Sequence, residues 1–320
     1  MKFSKRSGQK TLRGRIGLSG IGVHSGKPVS ISLCPADPDS GISFLRTNVP
    51  GCPDIEIPAL AARVGSTELC TVLGDPRGAS VATVEHLLAA LVGMGVDNVV
   101  VEIDGPEVPV MDGSARAFVD AIDRAGLVVQ TAPKRFLKIR KPVRIELGSA
   151  FAEFRPYEGC RLEIGIAYDC PVIGEQAIAI DLTPKKFRKE IARARTYGYM
   201  KDVERLWAAG FALGSSLDNS VVIGDGAVVN PEGLRFADEF VRHKVLDAIG
   251  DLALAGATLR GLYRSYKGGH KLNAMAVSAL LQQRDAWAIV AAPAETDKRP
   301  GRRGELLGGM LAPALAAEVS

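Results

Sequence analysis

The sequence predicts an α+β fold in two halves. Short alternating segments broken by glycines, such as residues 11–33, read as strands joined in hairpins. Apolar or amphipathic runs closed by a glycine, at 81–95 and 115–126, read as helices. Beyond a polar, proline-containing stretch at 128–136, strands and then helices recur in loosely the same order, with no residue-level repeat.

In chain order, "VATVEHLLAALVGMG" (81–95) offers Thr83 as an N-cap, an apolar helical run and a glycine stop. "NVVVEIDGPEVPVMDGS" (98–114) reads as a strand and a loop, and "ARAFVDAIDRAG" (115–126) as a helix capped by Ser114. "VVQTAPKRF" (128–136) is the linker candidate. Strands are expected at about 137–147, 150–155 and 161–168, and an irregular helical region at 184–209. A long helix at 232–255, a helix-like segment at 271–281 and an apolar strand at 286–292 complete the order. The corresponding domains are 1–130 and 131–295, followed by a polar, glycine-rich tail at 296–320.

Composition excludes several classes. With 47% hydrophobic and 24% charged residues, the 320-residue chain suits a soluble globular protein with a real core. A net charge of +4 favours anionic ligands mildly but falls short of a nucleic-acid binder's basic field. Cys34, Cys52, Cys70, Cys160 and Cys170 form no CxxC pair and are odd in number. They read as buried small hydrophobes in a reducing cytoplasm rather than a disulfide framework. The basic N-terminus lacks the apolar run of a secretory signal. No stretch nears the roughly 20 apolar residues that span a membrane. A cytoplasmic monomer is the expectation.

The chemistry concentrates around the four histidines, His24, His86, His243 and His270. "FVRHKVLDAIGDL" (240–252) sets His243, Asp247 and Asp251 at four-residue intervals, along one helix face. His86 directly follows Glu85. Imidazole and carboxylate are zinc ligands, and two from one helix with a third from another leave a coordination position open. A glutamate beside a ligand histidine is placed to take a proton from water. Spacing alone leaves a metal site and ordinary helix positions evenly matched, because HxxxD occurs by chance in many helices.

"TVEHLLAAL", "MDGSA" (111–115), "ARTYGY" (194–199), "FVRHKVLDAIGDL" and "GGHKLNAMAV" occur in this order. Together they resemble the UDP-3-O-acyl-N-acetylglucosamine deacetylase family, amidohydrolases that perform the committed step of lipid A synthesis in Gram-negative bacteria. The resemblance runs from near "GIGVHSGKPV" (20–29) to about residue 292. It implies a Zn²⁺ enzyme, with Fe²⁺ as the alternative, whose metal is held by His86, His243 and Asp247. It further implies Glu85 as general base and His270 as its protonated partner. Asp251 would orient His270 and raise its pKa, and the Thr196 hydroxyl would stabilise the tetrahedral oxyanion. The expected architecture is two similar domains, each a sheet with paired helices. The helices pack together in a central layer, with the site between the domains.

The implied substrate is a UDP-sugar carrying a 3-hydroxyacyl chain, with no nucleic acid and no stable membrane insertion. Lys244 and Lys267 match basic positions near the nucleotide phosphates, and His24 a position at the site mouth. A solvated lysine or a structural histidine is the plain alternative. An insert at about 165–215, with the segment 196–220, matches an apolar passage for the acyl chain. Its expected lining is Tyr197, Tyr199, Met200, Val203, Leu206 and Ala212, although core or helix packing is the simpler reading from sequence alone. Tyr168 aligns with an aromatic suited to stacking on uracil. Departures from the family pattern are Tyr197 and Tyr199 for phenylalanine, Cys170 for histidine, and Glu68 for an apolar residue at the passage mouth. Cys70 is expected close enough to the metal to be modified. "GIGVHSGK" lacks the full GxxxxGK[ST] and reads as a glycine-rich hairpin.

Two other classes compete. A hydrolase of some other amide leaves the insert and the lysines without purpose. A non-catalytic metal-stabilised binder gives no reason for Glu85, Thr196 and His270 to occur together. Deacetylase assays with and without the acyl chain separate the three.

Overall fold

A computed structural model describes residues 8–49, 51–75 and 77–292; the expected tail at 296–320 lies outside them. The first half contains β1 (Gly8–Leu12), β2 (Ile16–Ile21), β3 (Pro28–Pro35), β4 (Ile42–Arg46) and β5 (Ile55–Pro58). These are followed by β6 (Val64–Ser66), β7 (Val72–Gly74), β8 (Ser80–Val81), α1 (Glu85–Met94), β9 (Val99–Ile103) and α2 (Arg116–Ala125). A five-stranded sheet runs β2-β3-β9-β4-β5. Its β2–β3 hairpin makes the glycine-rich stretch a turn, as expected, with Ile21 opposite Pro28. Val29, Ile31 and Leu33 alternate inward along β3, the period-2 pattern of a half-buried strand.

The second half begins with β10 (Leu127–Pro133), β11 (Arg135–Ile139), β12 (Val143–Leu147), β13 (Ala150–Arg155), β14 (Cys160–Ala167) and β15 (Glu175–Asp181). It continues through α3 (Pro184–Lys186), β16 (Tyr197–Tyr199), α4 (Val203–Ala208), β17 (Val221–Gly224) and β18 (Ala227–Val228). It closes with α5 (Glu239–Ala253), β19 (Thr258–Tyr266), α6 (His270–Gln282) and β20 (Trp287–Ala291). The long β19 organises a seven-stranded sheet, pairing with β13 on one side and with β11 and β14 in parallel along the other.

The helices form the layer that positions the site. Helix α1 packs on α5, α2 on α1, and α6 on α5. All of α1 except Val92 is buried, as expected of a helix that is apolar all round. At Gly250 in α5, an added Cβ would lie 2.0 Å from the Glu85 carbonyl oxygen. Only glycine allows that approach, and it brings His86 on α1 within reach of His243 on α5.

The structure corrects several expectations. Thr83 does not cap α1; it sits at φ +55° and its hydroxyl donates to Glu107. Ser114 stands one residue before the N-cap of α2, although its oxygen still accepts from the Arg116 N–H (3.2 Å). The linker candidate is strand. β10 pairs with β1, and β11 starts at Arg135, so the expected boundary at 130 falls inside a hydrogen-bonded strand. β10 has no fully buried residue, which accounts for its polar composition. Helix α5 starts at Glu239 rather than 232, because the segment before it holds Arg195: the Gly233 carbonyl accepts from its guanidinium (2.7 Å). The 184–209 region is interrupted by β16. Of the five free cysteines only Cys70 is buried, and Cys52 is exposed. No helix among the described residues is long and apolar enough to cross a membrane.

Candidate active site

Two histidines and an aspartate meet where α1 crosses α5. His86 Nε2 lies 3.6 Å and His243 Nε2 3.2 Å from Asp247 Oδ1. One potential ligand atom from each of the three lies within 4.8 Å of the others, and all three residues are buried. His243 Nδ1 faces the Ala194 carbonyl at 3.1 Å, so Nδ1 carries the proton and Nε2 presents its lone pair to the centre. Burial lowers the His243 pKa to about 3, which keeps the ring neutral. Burial opposes ionisation of Asp247, yet His243 and Lys244 outweigh it and hold the carboxyl well below its usual range. Lys244 Nζ donates to Asp247 Oδ2 (2.8 Å), whereas the buried Oδ1 has no hydrogen-bond partner. A carboxylate oxygen left so is costly. A cation between the three groups removes the cost, and two nitrogens with one oxygen suit zinc or iron.

Beside this centre sits a second pair. Glu85 is 2% exposed; Oε2 accepts the Thr71 N–H (3.0 Å) and Oε1 lies 3.8 Å from His270 Nε2. Burial raises the Glu85 pKa against the pull of His270 and His86. His270 Nδ1 is 3.0 Å from Asp251 Oδ2. Asp251 also accepts from the Thr71 hydroxyl (2.6 Å) and the Asn273 amide (2.8 Å), and Tyr263 donates to Asn273 (2.7 Å). Burial would lower the His270 pKa, but Asp251, then Glu85 and Asp247, raise it to about 10. A buried carboxylate facing an imidazole held cationic has the chemistry of an acid–base pair.

A model of the LpxC family, described as UDP-3-O-acyl N-acetylglycosamine deacetylase, matches residues 9–282. The chain belongs to this family. It is 54% identical over 285 residues to the UDP-3-O-acyl-N-acetylglucosamine deacetylases of Brucella ovis and Brucella canis. Identity to the enzyme of Brucella melitensis biotype 2 is 53%, and each match covers 89% of this chain and 99% of the relative. The family's deacetylases are metal-dependent hydrolases of an amide, and the His86, His243 and Asp247 group is where this member has room for an ion.

The remaining expected residues are distributed as follows. Thr196 follows the Ala194–Arg195 segment; its N–H donates to Gly113 (2.8 Å), and its hydroxyl has no partner among the described residues. Arg195 is wholly buried and bonded through its backbone and guanidinium to Glu239, at the head of the helix that carries His243. His24 accepts at Nδ1 from the Ala212 N–H (3.4 Å) and meets Phe211 edge-on. Burial lowers its pKa; Glu107 opposes this, and the nearby His270 and His86 add to it. Lys267 is exposed, with φ +51°, its ammonium 5.6 Å from the Tyr266 ring centre.

The Tyr197 ring packs edge-on against Phe240 (5.0 Å) and His243 (6.1 Å), and its hydroxyl meets that of Tyr168 at 2.9 Å. Tyr199 and Met200 line a recess with Tyr168 and Ile223. Helix α4 contains no buried residue; Val203 and Leu206 are half-buried, as is Ala212. Tyr197 and Tyr199 pack against the core, whereas Val203, Leu206 and Ala212 lie half-buried at its margin. Glu68 is exposed, and the Cys170 carbonyl closes a turn by accepting from Ile173 and Gly174. Burial, with Glu85 adding to it, raises the Cys70 thiol to about 12, which disfavours the reactive thiolate.

Proposed function

We propose that this chain hydrolyses the N-acetyl group of UDP-3-O-(3-hydroxyacyl)-N-acetylglucosamine, releasing acetate and the free 2-amine, with zinc held by His86, His243 and Asp247. The reading rests above all on the partnerless Asp247 oxygen facing two imidazole nitrogens, beside the Glu85–His270 pair. When bound, the ion supplies a Lewis acid that polarises the acetamide carbonyl and makes water more acidic; iron(II) suits the same donors. Glu85 takes a proton from the attacking water, its Oε2 steadied by the Thr71 N–H. The His270 cation offsets the developing negative charge, and the Thr196 hydroxyl donates to the oxyanion. The Glu85/His270 pair then returns a proton to the departing amine.

The rest of the substrate uses the rim. Lys267, and Lys244 beyond its bond to Asp247, place positive charge for the diphosphate, with His24 at the mouth. Tyr197, Tyr199, Met200, Val203 and Ala212 line the acyl passage, supported by the lack of any buried residue in α4. The two halves of the chain both supply the site, Glu85 and His86 from the first and His243, Asp247 and His270 from the second. Five free thiols support a cytoplasmic location.

The test of this reading is the acyl chain. Burying only four methylenes at about 0.8 kcal/mol each contributes roughly 3 kcal/mol, so kcat/KM should drop about 200-fold for a substrate lacking the chain. Equal values for both substrates would remove the passage from the account.

A pH profile tests the acid–base pair. Glu85 acts ionised, so activity climbs as pH rises through its lifted pKa. His270 acts protonated, so activity falls as pH rises through its own pKa, about 10 before a bound cation beside it brings that down. The result is a bell-shaped kcat/KM, with limbs belonging to the coupled site. Asp251→Asn keeps an acceptor for the imidazole but removes the charge that raises its pKa. Its basic limb should move to lower pH, and the limb should move or vanish in His270→Ala. An unmoved limb in both variants would refute the role of His270.

A further inference from the structure

Glu107 is a buried carboxylate that the reaction described above does not use, 2% exposed. Its Oε1 accepts from the His24 N–H (2.9 Å) and the Thr83 hydroxyl (2.9 Å), and its Oε2 from the Ser25 N–H (2.8 Å). Each partner leads elsewhere. Thr83 occupies φ +55°, a left-handed conformation that β-branched residues rarely adopt, two residues before Glu85. The loop of His24 and Ser25 holds the passage segment. Its Nδ1 takes the Ala212 N–H, the His24 carbonyl the Leu213 N–H (3.1 Å), and the Val23 carbonyl the Gly214 N–H (3.0 Å).

Packing along this path is close. A Cβ at Gly214 would lie 2.3 Å from the Gly22 carbonyl oxygen, and one at Gly22 would lie 2.1 Å from Glu107 Oε2. The path therefore runs without a gap from residues 212–214, through the 22–25 loop and Glu107, to the strained turn that aims Glu85 and His86.

We propose that Glu107 is a positioning residue that couples the seating of the acyl passage to the placement of the catalytic base. The proposal rests on the passage reading above. A chain occupying the passage orders residues 212–214; the His24 loop transmits that order, and Glu107 fixes Thr83 and with it the first turn of α1. Glu107 touches neither substrate nor ion; it acts through these bonds.

Glu107→Gln replaces one acceptor oxygen by an amide, which then meets the N–H of either His24 or Ser25 donor to donor. In the metal-loaded enzyme, kcat/KM for acylated substrate should fall about tenfold or more, mainly through kcat. The ratio of kcat/KM with and without the acyl chain should shrink, while metal content stays stoichiometric. The amides of Ala212, Leu213 and Gly214 should exchange with deuterium faster. Thr83→Val, which removes the donor, should reproduce the smaller ratio, and Thr83→Ser, which keeps it, should restore it. A merely structural role would lower the melting temperature and leave the ratio and the local exchange rates unchanged. That outcome in both Glu107→Gln and Thr83→Val overturns the coupling. A wild-type enzyme with no acyl discrimination sinks the passage reading instead. The exchange rates at 212–214 then decide the mechanical link alone, faster rates supporting it and unchanged rates refuting it.

Discussion

Replacing Glu85 with alanine is expected to leave the metal in place and cut turnover by about 10²-fold or more, the usual loss of a general base. Glu85 lies outside the group of three potential ligands, so metal content should not follow activity. Its removal leaves the Thr71 N–H unpaired in a buried site, at about 1–3 kcal/mol of stability. Glu85→Gln, which keeps an acceptor for that N–H but cannot take a proton at its amide, separates the two effects. Both variants should show the same loss of kcat, with glutamine closer to wild type in melting temperature. Near-normal turnover in either variant would take the base role away from Glu85.

His243→Ala is expected to lose both stoichiometric metal and activity. Its Nε2 is one of three candidate donor atoms among the described residues, and its ring is aimed by the Ala194 carbonyl. Two remaining donors, one on α1 and one on α5, make a weak site. Elemental analysis of the purified variant, with circular dichroism to check the fold, gives the readout. A folded variant with full metal occupancy and normal turnover would exclude His243 from the centre.

Much of the site was legible because it sits on helices whose period announces it. His243, Asp247 and Asp251 do project along one face of α5, with Asp247 toward the histidines and Asp251 toward His270. What escaped detection acts through backbone or through distant loops. Thr71 serves Glu85 by its N–H and Asp251 by its hydroxyl from a segment with no periodic signal. Glu107 sits in a loop read only as connection, and its role exists through partners at Ser25 and Thr83. The β10 stretch passed for a linker because its partner, β1, is remote in sequence and its own residues stay partly exposed. Helix α4 misled in the opposite way: Val203 and Leu206 look like a core pair, yet both are only half-buried and the helix contains no buried residue.

The contact of Gly250 with the Glu85 carbonyl also sets the order of events during synthesis. His86 leaves the ribosome long before α5 exists, and the crossing that unites them is a contact between distant parts of the chain, slow to form by the entropy of closing so long a loop. A nascent or truncated chain thus owns His86 without its counterparts and has no three-donor site with which to compete for scarce ions. An ion held by these three residues would therefore be taken up by the finished, docked protein rather than by the growing chain.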